Sequence, residues 1–600
     1  MSFVPLHVHS HFSLLDGLSK ADQIAARCAE LGHSACALTD HGSISGAATF
    51  MIQCKKQGVK PIIGCEFYVT ESAAHVKDIN NIVSHQVILA KNLKGWYKLI
   101  QLVSRSNDKE NFYYKPRTDI EALKEIADDD LISFSGHLGS TLHRPVDAEN
   151  YALLMQEIFG KDNFFLEVQL IDGVNEPQAV RQADKIRQLS IQTGIPCIAT
   201  CDAHYPAKKD AVDQRVLLCS SMQTTLQRAQ KEGALATFFN SENFHIPSYE
   251  EMMRCGNTPE EIKNTTLIAD MCDNYDITGP PKLPSFPCPD NANEDVYLRE
   301  LCKEGWYKYN KNWDRNVYGE RVRNELAVIK EADLAGYFLI VQDYVNWAKN
   351  QGWLVGPGRG SGAGSIVCYL LGITSVDPLP HGLLFERFYN AGRNTGDRVS
   401  LPDIDIDFPV NKRKFIIEYL KGKYGNDRVC QMATFGRMQG RGALKEVLRV
   451  NDVCDFETMN KVSQSLPKPE AISDQLEDSG ETSIIRWTLL HDPDVLSDWC
   501  RIEEDGTLTG DYSEHFEQAI RLEGTYKSQG KHAAGVVISA EPLDKVCPMI
   551  NDKNSSEKIA GMSMEDLESM GHTKFDILGL AMLDKLMGLN NLLQTGKINP

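Results

Sequence analysis

No Cys-x-x-Cys pair occurs in this chain, although it has sixteen cysteines. That spacing marks zinc ribbons and redox dithiols, so neither is expected. Cys197 and Cys201, in "PCIATCDAHY", are the closest two and lie on an apolar run. Buried thiols in a reducing cytoplasm are therefore expected rather than a disulfide framework. No apolar run approaches the length of a membrane span. The opening "MSFVPLHVHS" lacks the basic region and long apolar core of a signal peptide. The Gly-Lys-Ser/Thr ending of a Walker A loop is missing, and no internal repeat or low-complexity tract is present. Positive charge is scarce too: the net charge is -19. An acidic chain argues at first against a nucleic-acid partner, but global charge says nothing about a local groove.

What is present is more informative. Six hundred residues, 42% of them hydrophobic, suffice for roughly four domains of about 150 residues each. Residues 1–270 alternate short apolar strands with helices. "FVPLHVH" is strand-like, "KADQIAARCAELG" is an amphipathic helix, and "ACALTDHG", "KPIIGCEFYV", "SHQVILAKN", "LISFSGHLGS" and "FFLEVQL" repeat a strand-to-polar-loop pattern. This predicts a mostly parallel, barrel-like α/β domain. The Pro-rich stretch 276–291 reads as a linker. Helices follow, then a Gly-rich turn at 356–364, an aspartate strand, a largely helical 415–510, and strands again after 525. Between 411 and 450, ten Lys and Arg face three acidic residues. That local excess suits either a solvated helical face or a phosphate-contacting surface.

Two constellations carry chemistry. In the first, His7 and His9 share one face of a strand, and Asp16, Asp40, His41, Glu66, His85, His137, Asp202 and His204 stand at other strand ends. In barrel-like α/β folds such ends converge on a single site. Imidazole with carboxylate suits zinc, manganese or iron. In the second, "RVSLPDIDIDFPVNKRK" places Asp403, Asp405 and Asp407 two apart, hence on one strand face. Three such charges need cations. A two-metal phosphoryl-transfer site, with Mg²⁺ ions about 3.5–4 Å apart, supplies that need. Asp576 in "HTKFDILGL" offers a third carboxylate from another strand, and Lys574 shares its face. The turn "GPGRGSGAGS" ahead of an apolar helix suits phosphate.

The motifs "HVHSHFSLLDG", "LTDHG", "GCE" and "CDAH" resemble the polymerase and histidinol phosphatase (PHP) domain. The resemblance implies a (β/α)7 barrel holding up to three metal ions (zinc, manganese or iron) that hydrolyse phosphoesters, with a 3′→5′ exonuclease as the expected activity. Its ligands fall on His7, His9, Asp16, His41, Glu66, His85, His137, Asp202 and His204. "GPGRGSGAGS", "LLFERF", "PDIDIDF", "GKHAAGVVI" and "KFDILGL" occur in the order seen in family C polymerases, the bacterial replicative DNA polymerase III alpha subunits. This implies a polymerase-beta-like nucleotidyltransferase palm with a helical thumb. By that match Asp405, Asp407 and Asp576 are catalytic and bind two Mg²⁺. Asp403 is a non-catalytic neighbour, Ser361, Gly362 and Lys574 touch the incoming dNTP, and Lys531 and His532 lie close to the site.

The domains implied are PHP at 1–275, linker at 276–291, palm at 292–430 and 511–585, thumb at 431–510, and the start of fingers at 586–600. Primer–template DNA, dNTPs, a sliding clamp and other replisome subunits are the implied partners, in the cytoplasm. Two departures stand out: extra residues between "FERF" and the aspartates, and an end soon after Asp576, so that poor polymerisation by these residues alone is expected. The rivals are a phosphoesterase working only through its histidine site and a non-catalytic DNA-binding scaffold.

Overall fold

The fold comes from a computed structural model, which describes residues 2–595 except 79–80, 82, 138–139, 144–146, 174–175, 234–235, 310–312, 391–400, 553–554 and 556. The chain forms two compact units, Met1–Asp276 with Phe435–Gly530, and Ile277–Thr434 with Lys531–Pro600. The extra residues expected before the aspartates coincide largely with 391–400, outside the described residues, as are 596–600 at the end.

The first unit is built on a seven-stranded sheet: β1 (Ala35–Leu38), β2 (Lys60–Thr70), β3 (Val83–Ala90), β4 (Arg117–Asp119), β5 (Leu131–Phe134), β6 (Phe164–Gln169) and β7 (Cys197–Thr200). The order is β1-β2-β3-β5-β6-β7, with β4 on β2. Residues 5–9 are not a full strand. Ala37 N–H donates to Pro5 O and Thr39 N–H to Val8 O on one side, while Ala203 N–H donates to His7 O and His9 N–H to Ala203 O on the other. This segment joins the two sheet edges and closes the barrel.

The sheet is less parallel than the sequence pattern predicts, because β3 runs antiparallel to both β2 and β5. Side chains alternate faces along a strand. Ile62 therefore shares a face with Glu66, Val87 and Leu89 with His85, and Phe165 with Glu167. The apolar members belong to one buried cluster. Each of these strand faces thus carries a hydrophobic floor and a polar rim.

The segment 435–530 belongs to the same unit and holds a small hairpin, β10 (Arg501–Ile502) and β11 (Leu508–Thr509). It is anchored by the fully buried Asp213, whose carboxylate accepts from Arg521 Nε at 2.6 Å and Nη2 at 3.0 Å and from Gln518 Nε2 at 3.0 Å.

The second unit centres on a six-stranded sheet of order β13-β14-β9-β12-β15-β8. Its strands are β8 (Ile406–Phe408), β9 (Val429–Arg437), β12 (Tyr526–Ile538), β13 (Met549–Asn551), β14 (Lys558–Ala560) and β15 (Lys574–Gly579). β9 falls where the sequence pattern predicts helix. Its "VCQMATFGR" lacks a clean apolar alternation, and pairing with neighbours decides it. The helix Ala335–Asn350 packs Phe338, Val341 and Tyr344 into one core with Ile406, Phe408, Phe575 and Ile577. No helix among the described residues is long and apolar enough to cross a membrane.

Candidate metal centre and carboxylate site

All nine predicted ligands of the histidine site lie together. His41, His137, Asp202 and His204 follow the ends of β1, β5 and β7, and Glu66 sits within β2. His85 arrives differently from the expectation. It lies near the start of β3, and because that strand is reversed, its start meets the ends of the others.

Glu66 is the hub and is fully buried. Its Oε2 lies 3.4 Å from His7 Nε2, 3.2 Å from His9 Nε2 and 2.8 Å from His41 Nδ1. Its Oε1 lies 2.6 Å from His85 Nδ1 and 2.8 Å from His137 Nε2. Asp202 Oδ1 is 3.1 Å from His9 Nε2, and Asp16 meets His41 at 3.2 Å and His204 at 3.6 Å. Despite these distances, His9 Nε2, His41 Nδ1, Asp16 Oδ1 and Asp202 Oδ1 are buried without an aligned hydrogen bond. Buried ligand atoms that face one another without aligned bonds suit a shared cation. Among the described residues, three triplets have ligand atoms mutually close enough for an ion: His9, His41 and His204; His7, His9 and Glu66; His41, Glu66 and His85. This buried cluster can hold metal ions.

The electrostatics agree. Burial alone would raise the Glu66 carboxyl, but the His41, His137 and His85 imidazoles outweigh it and hold the group well below the usual carboxylate range. Burial would lower His41, yet Glu66 and Asp16 push it up to about 10. His85 and His204 go the other way, lowered to about 4 chiefly by burial. Protons on some imidazoles thus balance carboxylates that divalent cations would balance otherwise.

Two supporting devices were not read as such from the sequence. Glu167, fully buried on β6, places Oε1 2.6 Å from His7 Nδ1 and accepts from Thr200 Oγ1 at 2.7 Å. A carboxylate only accepts, so His7 Nδ1 carries a proton and Nε2 is turned toward the site, 3.4 Å from Glu66 Oε2 and 3.5 Å from Asp202 Oδ1. The visible signal was a lone acid inside the apolar "FFLEVQL". Ser13 serves His9 similarly. Its hydroxyl donates to Asp40 Oδ1 at 2.7 Å, and so accepts from His41 N–H at 3.1 Å and from His9 Nδ1 at 3.1 Å. Asp40 is thus a support rather than a ligand. Glu167→Ala or Ser13→Ala is expected to weaken metal affinity about 10–100-fold, measured by competition with a chromogenic chelator.

The second site lies within the other unit. β8 spans only Ile406–Phe408, so Asp403 and Asp405 lie just ahead of the strand that holds Asp407. β15 pairs with β8 in parallel, Ile577 beside Ile406 and Leu578 beside Asp407. Asp576 and Asp405 therefore immediately precede paired residues on strands about 4.8 Å apart. Arg359 lies 4.0 Å from Asp405 and 3.9 Å from Asp407. Lys574 lies 3.2 Å from Asp576 and 3.5 Å from the exposed Asp403. Burial, with Asp403 and Asp576 adding to it against the pull of Arg359, raises the Asp405 carboxyl. This group of acids needs positive charge.

The glycine run faces these acids. Gly356 N–H donates to Asp407 O at 2.8 Å, and a Cβ on Gly356 would sit 3.0 Å from Asp407 Cβ. Gly360, at φ 62°, would place a Cβ 3.4 Å from Asp405 Oδ2. Ser361 is exposed and Gly362 buried in the 3-10 turn Gly360–Gly364.

The following helix is not a free anion site, however. Glu325 accepts from Ile366 N–H and Val367 N–H, both at 3.1 Å, and from Ser365 Oγ at 2.8 Å, while Arg321 Nε donates to it at 2.6 Å. Those amides already have their anion. Glu325→Ala is expected to destabilise the unit by about 3 kcal/mol, read from the urea midpoint.

Lys531 pairs with Asp552 at 3.2 Å, and His532 Nδ1 accepts from Gly535 N–H at 2.8 Å, a backbone-shaping role. The basic stretch 411–450 is not one free face. It divides between the units at Thr434. Lys421 and Lys423 pair with Glu557 and Asp343. Arg413, Arg428 and Arg441 bind backbone carbonyls, Lys445 meets Asn460 and Arg449 meets Glu446.

Two families match these regions: the PHP domain over residues 5–170, and the bacterial DNA polymerase III alpha NTPase domain over residues 296–579. The class is thus a PHP domain followed by a polymerase III alpha NTPase domain. The chain is 36% identical over 610 residues to the DNA polymerase III subunit alpha of Borreliella burgdorferi, covering 100% of this chain and 50% of that one. It is 36% identical over 606 residues to that of Treponema pallidum, covering 99% and 48%, and 33% identical over 626 residues to that of Aquifex aeolicus, covering 99% and 52%. The chain belongs to the DNA polymerase III alpha subunit family, and it spans about half the length of the curated relatives it matches.

Proposed function

We propose that the chain carries the nucleotidyl-transfer site of a DNA-directed DNA polymerase of replicative type, together with a metal-dependent phosphoesterase site in its PHP domain. The observation that carries the first reading is the parallel register that sets Asp576 beside Asp405 and Asp407, with Arg359 and Lys574 next to them. Magnesium ions bound there would supply activation of a primer hydroxyl and charge neutralisation of the pyrophosphate. Asp405, Asp407 and Asp576 would hold those ions. Lys574, with Ser361 and Gly362 of the turn, would orient the dNTP phosphates as fixed charge and fixed donors.

In the PHP domain the nine residues would hold zinc, manganese or iron, whose chemistry is to lower the pKa of bound water for attack on a phosphoester. A 3′→5′ exonuclease acting on primer ends follows. The sixteen unpaired cysteines, most of them buried, support a reducing, cytoplasmic setting. Primer–template DNA and dNTPs are the substrates, and clamp and replisome contacts would be made as in the family.

The test joins residues 1–600 to the remaining part of the Borreliella relative, in place of its matching half. Asp405→Asn should remove primer extension and His9→Ala should remove the metal-dependent nuclease. Extension that survives Asp405→Asn sinks the polymerase reading.

A further inference from the structure

We infer that the loop 111–116 is a subsite of the PHP metal centre that receives the unpaired terminal nucleotide of a single-stranded nucleic acid. This rests on the phosphoesterase reading above. Tyr114 is the starting observation: its side chain is 85% exposed, and its φ is 58°. A bulky non-glycine residue seldom adopts that left-handed conformation, and strained positions cluster where ligands bind.

The loop around it is braced. Tyr113 N–H donates to Lys115 O at 3.1 Å, which puts Tyr114 at the apex of a tight reversal. Arg117, itself buried, lies 4.5 Å over the Tyr113 ring and donates to Val76 O at 3.3 Å. Tyr113 in turn meets Tyr114 edge-on at 4.6 Å.

The position of the loop links it to the metal centre. A Cβ on Gly42 would lie 2.6 Å from Pro116 Cγ, so the end of the loop is seated on the residue that follows the ligand His41. Lys115 Nζ lies 4.3 Å above the Tyr68 ring, and that ring contacts His85 at 5.0 Å and His41 at 6.0 Å between centroids. Its ammonium is within electrostatic reach of Asp16 and Glu66. A point charge beside the metal ligands suits a phosphate, and an exposed aromatic a residue away suits a nucleobase, since every base has a π-face. A duplex keeps its bases stacked inside, so a strand end fits and a duplex does not.

The test uses the whole chain with Mn²⁺. A single-stranded dodecamer ending in 3′ 5-iododeoxyuridine should photo-cross-link to the peptide carrying Tyr113 and Tyr114, with excess blunt-ended duplex failing to compete. Tyr114→Gly, which relieves the backbone, should lose that cross-link and raise the KM for strand trimming about tenfold relative to that for bis(p-nitrophenyl) phosphate, which has no nucleobase to stack. Tyr114→Phe should restore both. Lys115→Ala should make the cross-link less sensitive to salt. Cross-links mapping elsewhere, or Tyr114→Gly trimming with wild-type KM, overturn the subsite. Full competition by blunt-ended duplex overturns its assignment to strand ends. A chain that cross-links at Tyr114 but trims nothing in any metal retains the subsite and fails the hydrolysis reading.

Discussion

Asp405→Asn is expected to lower nucleotide incorporation by the chimeric polymerase about a thousandfold or more, with primer–template affinity nearly unchanged. The substitution preserves shape and removes one charge. Loss of a metal-held interaction worth several kcal/mol at the transition state is a loss of that size, at about 1.4 kcal/mol per tenfold. Asp407→Asn and Asp576→Asn should behave alike, because the β8–β15 register makes the three one group. Asp403→Asn should lose far less. Asp403 is exposed, and its ionic partner Lys574 also meets Asp576. Single-turnover rates with saturating dNTP separate the two classes. If Asp403→Asn proved as damaging as Asp405→Asn, the grouping read from the register would be wrong.

Much of this was legible in the sequence for a simple reason. Ligand residues sit at the ends of strands, and strand ends show as apolar runs giving way to polar loops. His41, Asp202 and His204 were found that way. His85 was found by motif and misplaced by topology, since no local pattern tells an antiparallel strand from a parallel one. The spacing of the three aspartates reads as a single strand face; β8 itself takes in only Asp407, and Arg359 reaches both Asp405 and Asp407.

The glycine run was read as a phosphate cradle on a helix end. The competing anion, Glu325, lies some forty residues upstream, at a separation of 40 from Ser365, and no local rule reveals such a partner. The sequence reads 431–510 as a thumb between two parts of the palm, while Asp213 and Arg521 tie residues 435–530 to the first unit across a separation of 308. Long-range pairing of this kind is decided by packing rather than by local pattern.

Glu66→Gln should empty the PHP centre of most of its metal. Each carboxylate oxygen serves a different neighbourhood: Oε2 faces His7, His9 and His41, and Oε1 faces His85 and His137. Two of the three candidate triplets include it. The amide keeps the volume but presents donors where donors already crowd, and it removes the charge that cations would balance. Metal bound to the native state at about 100 times its Kd stabilises by about 2.7 kcal/mol per ion. For a unit of about 370 residues, unfolding with about 2.1 cal/mol/K of entropy per residue, that corresponds to a rise of roughly 3–4 °C in Tm per ion. Adding Mn²⁺ or Zn²⁺ to the wild-type chain should therefore raise the thermal transition of the first unit, and Glu66→Gln should remove that rise. Metal content by mass spectrometry should fall in parallel. Glu167→Gln keeps every ligand atom, so it should retain the stoichiometry and lose only affinity. Wild-type metal content in Glu66→Gln would mean that the ions do not depend on Glu66, and its place as the hub of the centre would be wrong.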